Sequence, residues 1–390
     1  MSANTPNHFG SPLQNWSRPT VGNALAILFG LALTAAYWPG ITGAGTTLRW
    51  DIAALLGVVL FFAPRVRMTA AHWLGLALIA WLSISLLWSE GRQDGYDAIF
   101  KILIAGCAFA VGSATEDLRP IWIGSAIGIG VSSVVVLAQL AGWHGIESDG
   151  GYSGLFVNRD RLAAAAALVA IAILAPLGGR SWLALPLLPA LIMPSSRAAW
   201  LALAVGFLSL PLRPAWLRWG ARTAALVGGI VTAVLRLGNP SDGERINLYR
   251  DTVNALTPFG HGLGSFWESF PAHAHYFDIA KVGTRPEHPH NEWLWLAYEG
   301  GFPAFVLGMV FALAIWLAAE DYPAERGILA ALFVFSFVAM PFHDPVTLAL
   351  GALVAGWCAG DRSGILVQDL DGGIPLQQGM ASGDLAERVR

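Results

Sequence analysis

The sequence predicts an all-α integral membrane protein of about twelve transmembrane helices with one long loop outside the bilayer. Three observations carry this. First, 55% of the 390 residues are hydrophobic and only 13% are charged, and the mean hydropathy is +0.56, too apolar for a soluble domain of this size. Second, apolar runs of the roughly 17–25 residues that a bilayer requires recur along the whole length. Third, 17 Trp and 44 Gly suit interface anchoring and close helix approach. The net charge of −3 with no basic run gives nucleic acid no footing. Cys107 and Cys358 both lie inside apolar runs, which reads as buried small hydrophobes and not as a disulfide or metal site.

In order along the chain, residues 1–20 are polar, with no apolar core before a small-residue cleavage site. They are expected to remain as a cytoplasmic tail. Spans are then expected at Val21–Trp38, Thr47–Ala63, Ala70–Trp88, Asp97–Ser113 and Pro120–Ala141. The next are Arg161–Pro176, Ser181–Met193, Arg197–Leu210 and Trp219–Leu237, of which Ser181–Met193 and Arg197–Leu210 are short. The last three are Gly301–Leu317, Arg326–Met340 and Pro345–Ala359. No Gly-Ser linker or repeat divides residues 21–360, so they read as one membrane domain that includes the loop 238–290. The polar, Gly-rich tail 361–390 is expected to be cytoplasmic and disordered.

Orientation follows from the arginines of short loops. With the N-terminus inside, ten arginines from Arg18 to Arg362 flank spans on the cytoplasmic side. Only Arg49, Arg92, Arg159, Arg161 and Arg197 flank them outside, which obeys the positive-inside rule. By parity, residues 238–290, 143–160, 194–196 and 342–344 lie on one outer face. In the loop, Ser241 or Asp242 is placed to cap a helix through Leu256. Its stripe Ile246, Tyr249, Val253 and Leu256 would rest on the membrane surface, with Arg245, Arg250, Asp251 and Asn254 off it.

The stretch Arg285-Pro-Glu-His-Pro-His-Asn-Glu-Trp-Leu-Trp-Leu-Ala-Tyr-Glu-Gly-Gly301 holds the leading candidate. Asn291 is a good N-cap for a helix that continues to Tyr298 and a Gly-Gly break, and Pro289 favours an extended His288. A histidine at a helix N-terminus feels positive partial charge and stays neutral, as a general base must. His290 is therefore read either as a base or as an interfacial histidine bonded to loop backbone. The pairs His273-Ala-His275 and His288-Pro-His290 invite a metal reading, but no cysteine, and no carboxylate at helical spacing, completes a ligand set. Neither a metal nor any other cofactor is expected.

Arg197, Arg245, Arg159 and Arg161 each carry two readings: snorkelling to lipid phosphates, or bidentate binding of a phosphate-bearing substrate. Asp344 is read as orienting His290 or a sugar hydroxyl, or as the cap of the last span. Trp293, Trp295 and Tyr298 read as an interface belt or as faces for sugar stacking. Lys101 and Asp51 are charges in or near spans that need partners.

Several short patterns occur in order. Gly154-Leu-Phe-Val-Asn158-Arg-Asp160 approximates Gly-x-Phe-x-Asn-x-Asn, with Asp at the last position. Arg197-Ala-Ala-Trp-Leu201 is Arg-x-x-x-Leu; Asp242-Gly-Glu-Arg245 and Gly260-His-Gly-Leu-Gly264 follow. His290-Asn291 precedes nine residues and Gly301, with Ala304 where Gly, Thr or Tyr would complete the pattern. In this set, over roughly Gly154 to Ala304, the chain resembles the bacterial O-antigen ligase and O-antigen polymerase superfamily.

That resemblance implies a membrane glycosyltransferase with a GT-C-like architecture, in the bacterial inner membrane and with its active site facing the periplasm. It implies a donor glycan on undecaprenyl pyrophosphate, His290 as base, Arg197 and Arg245 on the pyrophosphate, and supporting roles for Asn291, Asp344, Asn158 and Arg161. Transfer would be inverting and metal-independent. The ligase patterns favour a lipid A–core acceptor. The alternatives are a polymerase that extends a second lipid-linked glycan, and a transporter or flippase, which predicts internal repeats and mid-membrane charges that the sequence does not clearly contain.

Overall fold

The computed structural model describes residues 21–36, 44–60, 66–143, 145, 151–156, 158–177, 184–210, 215–235, 240–282 and 285–360, and among these it contains helices and no strand. The helices are α1 (Val21–Ala35), α2 (Ala44–Leu60), α3 (Ala70–Ser85), α4 (Arg92–Ala114), α5 (Arg119–Leu140) and α6 (Arg159–Leu177). Then come α7 (Leu188–Ile192), α8 (Arg197–Ser209), α9 (Ala215–Leu235), α10 (Pro240–Asn254), α11 (Phe266–Ser269) and α12 (Ile279–Val282). Last are α13 (Glu292–Ala318), α14 (Pro323–Val338) and α15 (Pro345–Ala359). Helices α4, α5 and α13, and α3 with its short 3₁₀ extension to Trp88, are long and apolar enough to cross a bilayer.

The centre of the bundle is α6. From Leu162 to Ala172 every residue is buried, and seven of the eleven after Arg161 are Ala in the run Leu-Ala-Ala-Ala-Ala-Ala-Leu-Val-Ala-Ile-Ala. Small side chains let neighbours approach on all sides, which in lipid replaces the hydrophobic drive of water. Helices α5, α8, α14 and α15 pack round it. The outward faces are apolar too, with Trp73, Leu208 and Phe302 each more than 60% exposed, as a protein solvated by acyl chains requires. Proline at the first turn starts α5, α14 and α15, where its missing N–H costs nothing.

Three expectations need correction. The described part of Ser181–Met193 is not one continuous helix: residues 184–187 form a 3₁₀ turn and α7 is five residues long, because Pro186 and Pro189 interrupt a run that hydropathy alone counts as continuous. Gly301–Leu317 is only the second part of α13, which begins at Glu292 and bends where Gly301 takes φ 70°, ψ −169°. The surface helix ends at Asn254, before Leu256. The proposed tails 1–20 and 361–390 lie outside the described residues.

The bend in α13 has a partner. Backbone N–H groups of His261 and Gly262 donate to the carbonyls of Tyr298 and Glu299, and Phe302 N–H donates to Pro258. A Cβ on Gly260 would sit 2.3 Å from the Glu299 carbonyl oxygen, and one on Gly301 2.3 Å from the Phe259 carbonyl carbon. Both glycines also have φ above 70° or at it, so only glycine fits this crossing without strain.

Candidate active site

The site grows from the first turn of α13. Asn291 caps it, its side-chain oxygen accepting from the N–H groups of Trp293 and Leu294 at 3.0 Å, as the sequence predicts. Its Nδ2 donates to the Phe337 carbonyl at 2.9 Å, and Trp293 Nε1 donates to Ser336 Oγ at 2.7 Å. These two bonds tie the start of α13 to the end of α14.

His290, just before the cap, has φ 52°. A non-glycine residue in the left-handed region costs about 1–3 kcal/mol and persists only where its surroundings over-determine it. Here Asn291 fixes the chain on one side, and on the other Tyr249 of α10 donates from its hydroxyl to the His290 carbonyl at 3.1 Å. Arg245 lies one turn before Tyr249 on α10 and acts on the same imidazole. The ring's pKa falls from 6.5 to about 4, first through burial and then through the Arg245 cation, with Asp160 opposing. The neutral state expected from sequence therefore has a different origin: the helix N-terminus is not its main cause.

Two further histidines join it. The His288 ring lies 4.8 Å from His290 and stacks at 5.4 Å on His343, from the turn before α15. Burial and the neighbouring His343 and His290 hold His288 well below its usual range. His343 Nδ1 lies 3.3 Å from the carboxylate of Glu292, whose other oxygen accepts from Phe342 N–H at 2.7 Å. Among the described residues no group of three or more His, Cys, Asp or Glu side chains is placed to hold a metal ion.

The supporting residues divide. Asp344 caps α15 through the N–H groups of Val346 and Thr347, the second of its two sequence readings. Its other oxygen lies 4.0 Å from Arg161 Nε. Asn158 accepts from the N–H groups of Asp160 and Arg161 and so caps α6. These residues thus set Arg161 and Asp160 at the start of α6, facing α15 and His290. Arg197 begins α8 behind the Ser196 cap. Helix α8 runs antiparallel to α14, Gly206 and Leu210 both meeting Gly327 near the α14 N-terminus. The N-terminal end of α8, where Arg197 stands, therefore lies at the end of α14 that holds Asn291 and Trp293.

Sequence reasoning missed four residues. Arg49 is 2% exposed; it donates to the Leu33 and Leu155 carbonyls and lies 3.9 Å over the Phe156 ring, holding the Gly154–Asn158 turn. Asp251, placed on the solvent side of the surface helix, is fully buried and accepts from Tyr276 and Phe277 N–H groups. Glu299 is buried and accepts from Gly264 and Phe266 N–H at 2.7 and 3.0 Å. Glu292 holds His343 as described. In each case the partner is distant in sequence, so no local pattern reports it; a buried carboxylate next to Gly-rich backbone was the available signal. Of the stripe on α10, Ile246 and Val253 stay exposed while Tyr249 turns in to His290. Lys101 finds its partner one turn away in Asp97, whereas Asp51 is exposed.

A search of curated proteins finds no match. A family model described as O-antigen ligase matches residues 153–309, from the turn under Arg49 through α10 and His290 to the middle of α13. That match covers less than half of the chain, and over it the chain is similar to the O-antigen ligase family.

Proposed function

We propose that the chain transfers a glycan from undecaprenyl pyrophosphate to a hydroxyl of lipid A–core on the periplasmic face of the inner membrane, with His290 as base. The observation that carries the reading is His290 itself: a neutral imidazole held in a strained backbone conformation beside the Arg245 cation. Strain of this kind is kept where geometry matters for chemistry.

The acceptor O–H gives its proton to His290 as the oxygen attacks the anomeric carbon. The bond from that carbon to the pyrophosphate oxygen breaks on the opposite face, and the electron pair leaves with undecaprenyl pyrophosphate, inverting the centre. Arg245 and Arg197 stabilise the departing charge, with Arg161 in support, because preorganised cations in a water-poor site cost no reorganisation. An imidazole with a pKa of about 4 is fully neutral at pH 7 but a weak base. A bound pyrophosphate offsets the Arg245 cation and lifts the ring toward the useful range, so the donor itself primes the base.

The test incubates purified protein with an undecaprenyl-pyrophosphate glycan and each acceptor. Glycosylated lipid A–core is the expected product. A lengthened lipid-linked glycan instead establishes a polymerase, and movement across vesicles without a new bond overturns the enzymatic reading.

A further inference from the structure

The loop of residues 238–290 is expected from sequence to stand outside the bilayer, yet one turn of it descends beside α3. Phe259 lies near Trp81, with ring centroids 6.4 Å apart, and against the bend of α13, where a Cβ on Gly301 would meet its carbonyl carbon. Farther along, Leu263 N–H donates to Ser85 Oγ at 3.1 Å and its carbonyl accepts from Ser89 Oγ at 2.7 Å. The chain thus runs along the last two turns of α3 and not past its end. With its extension to Trp88, α3 has 19 residues. That is a length of about 28 Å, close to the ~30 Å of a hydrocarbon core. Trp81 then stands about 10 Å inside the outer edge, with Phe259 at a similar depth.

The surface at this turn is apolar and open. Phe259 is 63% exposed, and Phe302 of α13, whose N–H donates to the Pro258 carbonyl, is exposed next to it. Trp81, Ile84 and Trp88 of α3 form a groove of about 550 Å³ with Pro258 and Phe259. Helix α3 and its extension carry no Asp, Glu, Lys or Arg, and the first charge after them is the exposed Glu90. Down the same two helices the outward side chains stay apolar, with Trp73, Leu313 and Leu317 exposed.

Non-helical backbone is tolerated at membrane depth where the protein itself pairs its polar groups. Here Pro258 has no N–H to satisfy, and Gly260 N–H donates to the Thr257 carbonyl. The N–H groups of His261 and Gly262 go to carbonyls at the α13 bend, and Trp81 Nε1 donates to the Gly300 carbonyl at 2.7 Å. We propose that the turn of residues 257–260 is embedded in the outer leaflet, with Phe259 among phospholipid acyl chains that fill its groove with α3. The occupant follows from continuity, because the groove adjoins the lipid-facing sides of α3 and α13. The inference does not depend on glycosyl transfer. Since the same loop carries Tyr249 to the His290 carbonyl, the embedded turn sets the height of α10 above the bilayer.

The test places a nitroxide at Phe259→Cys in the full-length protein carrying Cys107→Ala and Cys358→Ala, in nanodiscs of phosphatidylethanolamine and phosphatidylglycerol. Collisions are measured with oxygen, which dissolves in hydrocarbon, and with a polar nickel chelate, which does not. The references are Val134→Cys, 67% exposed on the α5 span, and Glu268→Cys, exposed in the loop. The oxygen-to-nickel ratio at 259 should match that at 134 and exceed that at 268 by about tenfold. Pro258→Cys, also exposed, takes the same measurement where Phe259→Cys does not fold. A ratio equal to that at 268 places the turn in water and overturns the proposal. Few collisions with either reagent means that protein covers the turn, as a second copy of the chain would, and overturns it as well.

Discussion

Removing one oxygen from Tyr249 tests whether the conformation of His290 matters. In Tyr249→Phe the ring and its packing remain, and only the hydroxyl that donates to the His290 carbonyl at 3.1 Å is lost. A hydrogen bond of this kind contributes about 0.5–1.5 kcal/mol net. The left-handed backbone it supports costs about 1–3 kcal/mol, so the bond offsets a substantial part of the strain but not all of it. If that energy sets the population of the reactive arrangement, turnover falls by a factor of about 2–12. The donor KM should barely move, because the arginines are untouched, and thermal stability should shift little, since the carbonyl is only half-buried and water can replace the donor. The assay is single-turnover transfer from a labelled lipid-linked donor, with the melting temperature followed in parallel. An unchanged rate would refute the link between Tyr249 and the base. A loss of more than about a hundredfold would refute it differently, since one supporting hydrogen bond cannot supply roughly 2.7 kcal/mol.

Other consequences concern protons and buried carboxylates. Because His290 has its folded pKa depressed to about 4, transfer should stay flat down to about pH 5 and be half lost near 4 in a pH profile of kcat/KM for the free enzyme. For the same reason the unfolded chain takes up this proton first, so His290 subtracts stability as pH falls from about 6.5 through 4. Arg245→Gln removes the cation that helps depress the ring, and should move the midpoint upward while raising the donor KM; a midpoint that falls would contradict the assignment. Asp251→Ala leaves the Tyr276 and Phe277 N–H groups unpaired and should cost about 2–4 kcal/mol in thermal unfolding, whereas Asp251→Asn keeps the one oxygen that accepts both bonds and should be near neutral. Glu299→Gln keeps only one of two accepting oxygens, so hydrogen exchange should quicken at Gly264 or Phe266 and not elsewhere in the bundle.

What could be read from sequence was what is local. Asn291 and Asp344 announce helix starts because a cap and its partners lie within three residues, and both caps form. The membrane class follows from composition, which is a sum over residues and needs no pairing. Ser181–Met193 failed for a local reason as well: two prolines outweigh an apolar average. The site is different. Tyr249 reaches His290 across 41 positions, Glu292 reaches His343 across 51, and Arg49 reaches Leu155 across 106. An apolar stripe accounts for Tyr249 and a solvent face for Asp251 until tertiary packing turns both inward. The neutrality of His290 was anticipated, but its cause lies in burial and in a cation from another helix, which neighbours in sequence do not reveal.

The account stands most directly on His290. Purified His290→Ala should bind the undecaprenyl-pyrophosphate donor as the unaltered protein does and yield no glycosidic product in a single-turnover assay. Product at the unaltered rate would contradict the account, since His290 is the group assigned to take the acceptor proton.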